Sequence, residues 1–150
     1  MKHLIISIVI VIVCQGCSKR NSFDKLTERE FNKCPDKSNC VIDLSKILKI
    51  EWDTMYFFSN AIFLNEIDSI LGFHLKEWTD IGYRIVLTNK SNKVVYYQEW
   101  FPYPSDEVKD IVVFDTNKKY FILDKNNAIF LVRKENNFYF LTLFDISSST

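Results

Sequence analysis

His74 is the first residue to weigh for chemistry, because with His3 it makes up the two histidines of the chain. A serine triad would need an imidazole between a nucleophile and a carboxylate, and no Gly-x-Ser-x-Gly elbow occurs in the sequence. His74 follows Leu71-Gly72-Phe73 at what reads as a helix end, where exposed carbonyls favour an imidazolium. It reads as a capping or surface residue. The carboxylate candidates are Glu51 with Asp53, Glu66 with Asp68, Glu77 with Asp80, and Asp106, Glu107 and Asp110. Glycoside hydrolysis needs two carboxyls facing across a cleft, one kept protonated by burial. Linear spacing sets up no such pair, so these read as charged surface. Asp53, between Trp52 and the run Met55–Phe58, is the one expected to be partly buried, as a hydrogen-bonded structural carboxylate. Cys34 and Cys40 have C-x5-C spacing, which is not the redox C-x-x-C, and a metal site would want further ligands close by. With three glycines in the chain there is no glycine-rich phosphate loop. The expectation is a protein that is not an enzyme and carries no metal and no cofactor.

The residues best suited to binding are aromatic. In Tyr96-Tyr97-Gln98-Glu99-Trp100-Phe101-Pro102-Tyr103-Pro104, strand alternation places Tyr96 and Trp100 on one face and Tyr97 and Phe101 on the other. Tyr and Trp are common interface anchors, which makes Tyr96, Trp100 and Tyr103 the candidate binding residues. The alternative stays open: if both faces of the strand are covered, these rings are core. Charge selects no partner. The 19 basic residues match the 19 acidic ones, so no basic excess draws in nucleic acid.

These residues must be positioned by regular elements. Thr27 and Glu30 have capping-box spacing for a short helix near Glu28–Lys33, within a polar stretch otherwise read as a tether. Val41-Ile42 suits a short strand, Asp43 can cap a turn through Leu44–Leu48, and Trp52–Phe58 reads as a buried strand. Phe63, Ile67, Ile70 and Leu71 share one helical face, with Ser59 or Asn60 as the N-cap and Gly72 as the stop. Tyr83–Thr88 and Val94–Phe101 form a hairpin across Asn89–Lys93. Asp110–Phe114 and Tyr120–Leu123 are further strands, and Ala128–Arg133 pairs with Phe138–Phe144. The predicted fold is α+β: one principal helix on an antiparallel sheet of about five to seven strands.

The N-terminus says where such a domain would reside. Met-Lys-His, then the apolar run Leu4–Val13, then Gly16 before Cys17, has the form of an export signal. Leu4–Val13 is about half of the ~20 apolar residues needed to cross a bilayer. The segment ending at Cys17 resembles the lipobox of bacterial lipoproteins, although Cys14 and Gln15 stand where that family usually has Leu and then Ala or Ser. The resemblance implies cleavage before Cys17 and a lipid on its sulfur; an ordinary cleaved signal and an uncleaved anchor are the other readings. Export also implies an oxidising compartment, in which Cys34 and Cys40 form the natural disulfide.

The expected organisation is a signal peptide over 1–16, a lipid-anchored tether over 17–36 and one domain over 37–150. From Trp52 onward, the Trp-Asp-x-Met-Tyr stretch, the helix end Leu71-Gly72 and Val94-Val95-Tyr96-Tyr97 resemble small uncharacterised bacterial lipoproteins, a likeness that supplies no catalytic residues. The functional expectation is a lipid-anchored envelope protein, facing the periplasm or the cell exterior, that binds another protein. An immunity or inhibitor role and an envelope-assembly role are its two versions. A small-ligand-binding lipoprotein is the alternative, and a hydrolase comes third.

Overall fold

A computed structural model describes residues 22–75, 82–101 and 109–144. In chain order they form α1 (Ser22–Lys33), β1 (Cys40–Asp43), α2 (Leu44–Ile47), β2 (Thr54–Phe58), α3 (Leu64–Leu71), β3 (Tyr83–Thr88), β4 (Val94–Trp100), β5 (Ile111–Phe114), β6 (Tyr120–Asp124), a 3-10 turn (Lys125–Asn127), β7 (Ile129–Glu135) and β8 (Phe138–Leu143). The class is α+β, but the strands divide into two sheets of four, ordered β1-β7-β8-β5 and β4-β3-β2-β6. The expected single sheet is therefore corrected to two, and β5 runs parallel to β8 rather than antiparallel.

The main core lies between the sheets. Phe57 of β2 packs on Phe114 of β5 with ring centroids 4.5 Å apart, and Phe121 of β6 meets Phe114 at 5.5 Å and Phe130 of β7 at 6.4 Å. Every inward residue of this kind is one position from an outward one, so alternation gives each sheet a second face. On the β2–β3 sheet part of that face is covered, while Tyr120 and Ile122 of β6 stay 42% and 48% exposed on it. Ile67 and Leu71 of α3 close over Phe58, Ile62 and Val86 in a smaller core. Gly72 ends α3 at φ +75°, the left-handed region that glycine enters without a Cβ penalty. The helix starts later than Ser59 or Asn60: its N-cap is Phe63, whose N–H donates to the Glu66 carboxylate at 3.1 Å. Phe63, expected on the buried face, is 73% exposed because it precedes the first turn.

The stretch read as a tether is corrected from Ser22 onward. Residues 22–33 form α1, with Phe23, Asp24, Thr27 and Phe31 buried. Phe23 lies 6.1 Å from both Trp100 and Phe114, and Phe31 meets Tyr139 edge-on at 5.4 Å. The helix thus touches both sheets and contributes to the same core. Asp24, 2% exposed, accepts the backbone N–H of Val112 at 2.9 Å and so satisfies a buried group of β5.

The end of α1 is tied down closely. Cys34 and Cys40 form a disulfide with Cα atoms 5.6 Å apart, as expected. The Lys37 ammonium donates to the carbonyls of Phe31, Asn32 and Cys34, capping the helix C-terminus.

Candidate functional site

The aromatic strand keeps its expected alternation, and its position decides the fate of each ring. Trp100 is 6% exposed, its indole N–H donates to the Val112 carbonyl at 3.0 Å, and Phe23 and Tyr83 pack on the ring. Of the two readings left open, this residue takes the core one, because α1 and β5 cover its face. Tyr96 is half-buried on the same side, with its hydroxyl 3.0 Å from the Ser22 hydroxyl. Burial, with the nearby Asp24 charge, pushes its phenol up, and the Ser22 hydrogen bond only partly offsets this. On the opposite face Tyr97 donates to the Glu99 carboxylate at 3.0 Å, and that carboxylate lies 3.3 Å from the wholly buried guanidinium of Arg84. Tyr103 and Cys17 lie outside the described residues, as do Glu77, Asp80, Asp106 and Glu107.

The remaining chemical candidates do not converge. His74 is exposed and pairs with Asp68 at 2.5 Å, beside the end of α3. Asp110 pairs with Lys134 at 2.9 Å. Glu51 and Asp53 come to the rim of a polar recess that also touches Trp52 and Lys125. Among the described residues no group of three or more His, Cys, Asp or Glu is placed to hold a metal ion.

A surface that the sequence reading missed lies on the outer face of the β1–β7–β8–β5 sheet. Register sets Val41 beside Leu131 and Leu131 beside Thr142, then Arg133 beside Phe140 and Phe140 beside Val113. These side chains alternate with the core residues Ile42, Val132, Leu141 and Val112, so they point away from it. Like the part of the other outer face beyond α3, this one stays partly open: Val41 is 43% exposed and Phe144 36%, with Leu131, Phe140 and Val113 half-buried. Arg133 lies over the Phe140 ring at 5.7 Å.

At the β1 border this face runs into a groove of about 570 Å³, with Val41, Ile129, Phe144, Pro35 and Ile47 among its walls. β1 is the last strand of its sheet, and its pairing is specific. The Leu44 N–H bonds to the Ala128 carbonyl, so Ile42 and Cys40 also point their backbone groups at β7. The N–H and C=O of Val41 then point away from β7, along a border on which the described residues place no further strand. The charges around the groove are already paired within the chain. Glu30 takes Lys33 at 2.9 Å and Arg29 at 2.9 Å, and Asp43 takes Lys46 at 3.1 Å. Burial pushes both carboxyls up, but these hydrogen bonds, with those of Ser45 to Asp43, outweigh it and hold both below their ordinary values.

The signal that could have revealed this surface was the wealth of apolar residues at outward positions of the last hairpin. Without a known sheet order it could not be told from a strand buried on both sides. Comparison with protein-family models, curated proteins and solved structures finds no match to this chain.

Proposed function

We propose that this chain is a lipid-anchored, non-catalytic binding module of the cell envelope, carrying its lipid on Cys17 and binding another envelope protein. An immunity or inhibitor protein and an envelope-assembly factor are the two forms this role takes. The observation that carries the reading is the border of β1 along which the described residues place no further strand, where the Val41 backbone faces away from β7 beside an apolar groove. An exposed strand border of this kind accepts an added strand, main-chain hydrogen bonds giving affinity and side-chain pockets giving selectivity. The occupant is an extended, uncharged segment of the partner. Glu30 and Asp43 are neutralised by their own lysine and arginine neighbours, so a charged segment would find no free counter-charge there.

Two measurements test the two halves of this proposal. Proline at Val41 removes only an N–H that faces away from β7, so the fold should tolerate it while strand addition is blocked. A photo-crosslinking residue at Phe144 of the full chain, in intact cells, should give one discrete adduct that disappears in the Val41→Pro background. The same group at Tyr120, on the other sheet, should give none. An adduct that survives Val41→Pro, or an equal one at Tyr120, overturns the binding surface. Separately, a fatty-acid probe should label the wild type and Cys14→Ser but not Cys17→Ser, and equal labelling of all three overturns the anchor.

A further inference from the structure

We propose that the recess between α1, the end of α2 and β4 seats the domain on the anionic surface of the membrane that holds it. The proposal rests on the anchor reading for one thing, that a bilayer lies within reach of Ser22; its own residues are separate from Cys17. The recess encloses about 470 Å³. Leu26, Ile47, Leu48 and Tyr96 form its apolar walls, and Lys25, Arg29 and Lys49 supply its charge. Ile47 is the residue it shares with the β1 groove.

Its shape comes from a second side of α1. Ser22, Lys25, Leu26 and Arg29 recur at helical spacing and share one face, away from the buried stripe of Phe23, Thr27 and Phe31. The Ser22 hydroxyl fixes that face against β4, donating to the Gln98 side-chain oxygen at 2.9 Å and lying 3.0 Å from the Tyr96 hydroxyl. The chain after α2 brings the other wall: Leu48, half-buried, then Lys49 and Ile50, both exposed. The result is an apolar floor inside a rim of ammonium and guanidinium groups. Lys and Arg meet a bilayer in this way, stems along apolar surface and heads at the phosphates.

Charge names the occupant. Among the described residues no carboxylate lines the recess. The nearby ones are engaged elsewhere: Asp24 accepts the Val112 N–H in the core, Glu30 pairs with Arg29 and Lys33, and Asp43 pairs with Lys46. Glu28 lies on the flank of α1 toward Tyr139, where its charge acts on that phenol, and Glu51 lines the recess beside Trp52. An excess of positive charge therefore gathers at Lys25, Arg29 and Lys49 in a chain whose total charge is zero. Position then selects a membrane over an acidic protein. The five steps from Cys17 to Ser22 keep this end of α1 at most ~19 Å from the lipid. A surface held so close acts at high effective concentration, which a freely diffusing partner lacks.

The test uses the full chain as cells process it, reconstituted on vesicles, with an environment-sensitive fluorescent residue at Leu48. The exposed Ile50 takes the probe should Leu48 not tolerate it. Phosphatidylglycerol vesicles should shift the emission to the blue, and phosphatidylcholine vesicles should not. Salt at about 1 M should abolish the shift, because the screening length falls to about 3 Å. Lys25→Gln with Lys49→Gln should lower the docked-to-free ratio about fivefold for each cation, about 25-fold together. Their melt should stay unchanged, since both side chains are exposed. Neutralising Lys118 and Lys119, exposed on the β5–β6 turn, should leave the shift intact. The vesicle contrast reads headgroup charge, whereas fatty-acid labelling of Cys17→Ser reads the anchor, so the two readings fail separately. Equal emission on both vesicles, a shift that survives the salt, a Lys25/Lys49 variant that docks as wild type, or an equal loss from the Lys118/Lys119 variant overturns the proposal.

Discussion

Trp100 and Phe101 are neighbours with opposite fates, the first 6% exposed and the second 49%. Alternation, readable in the sequence, assigned them to opposite faces. Which face would be covered was not readable, because the cover is α1 and β5, far away along the chain. Trp100→Ala should therefore cost about 3–5 kcal/mol, leaving a cavity against Phe23 and removing the donor from the Val112 carbonyl. Trp100→Phe, which keeps most of the packing, should cost less, and thermal melting of the two variants orders them. An unchanged melt for Trp100→Ala would contradict the core position. A second residue-scale prediction concerns Arg84, wholly buried beside Glu99. Removing Glu99 takes one carboxylate away from a guanidinium held in a medium that solvates it poorly. Glu99→Leu should therefore destabilise the fold, by about 1 kcal/mol or more, measured by chemical denaturation. Gly82 sits against this pair, where an added Cβ would come within 2.7 Å of the Glu99 Cγ and 3.1 Å of the Trp100 carbonyl oxygen. Nothing about Gly82 as a residue type announced that contact.

Among the elements, the strands and α3 were legible because their signals are local: alternation, a helical apolar face, and a glycine stop. α1 was read mostly as a tether because its sequence is polar, with a short helix anticipated only near Glu28–Lys33; Phe23, Thr27 and Phe31, spaced four apart, mark its buried side together with Asp24. Short helices gain their stability from docking rather than from propensity, and docking is not local. The knot where α1, β1 and α2 meet carries a pH dependence that can be worked out. Hydrogen bonds from Ser38 hold Asp36 below its ordinary value, and Glu30 and Asp43 are held low against the opposing pull of burial. A carboxyl with a depressed folded pKa contributes stability that is complete above its unfolded value, about 4, and is lost as pH falls through the folded one. The melting temperature should thus drop with acid below about pH 4, more steeply than in the double variant Glu30→Gln/Asp43→Asn. Parallel pH–melting curves for the two proteins would show that these groups do not govern the slope.

At the scale of the whole molecule, strand pairing is what the sequence hid. The hairpins β3–β4 and β7–β8 join neighbours, and both were anticipated. By contrast β1 pairs with β7 and β2 with β6, across long stretches of chain, and among the described residues these pairings create the second sheet and leave β1 at its border. α1 belongs to this long-range set, and it changes how the domain would relate to a membrane. A tether reaching Lys33 would let the domain stand up to ~50 Å from a lipid on Cys17, but with α1 docked from Ser22 the five steps from Cys17 span at most ~19 Å. Two deletions separate the pictures. Removing residues 22–33 should abolish folding, since it takes Phe23 and Phe31 from the core and the Asp24 carboxylate from the Val112 N–H. Each buried Phe alone contributes about 1.5–3 kcal/mol, a large part of the stability of a domain this size. Removing residues 18–21 instead should leave the melt of the domain nearly unchanged. If the 22–33 deletion melted like the intact chain, α1 would be a spacer after all; cooperative unfolding followed by circular dichroism on the two proteins decides it.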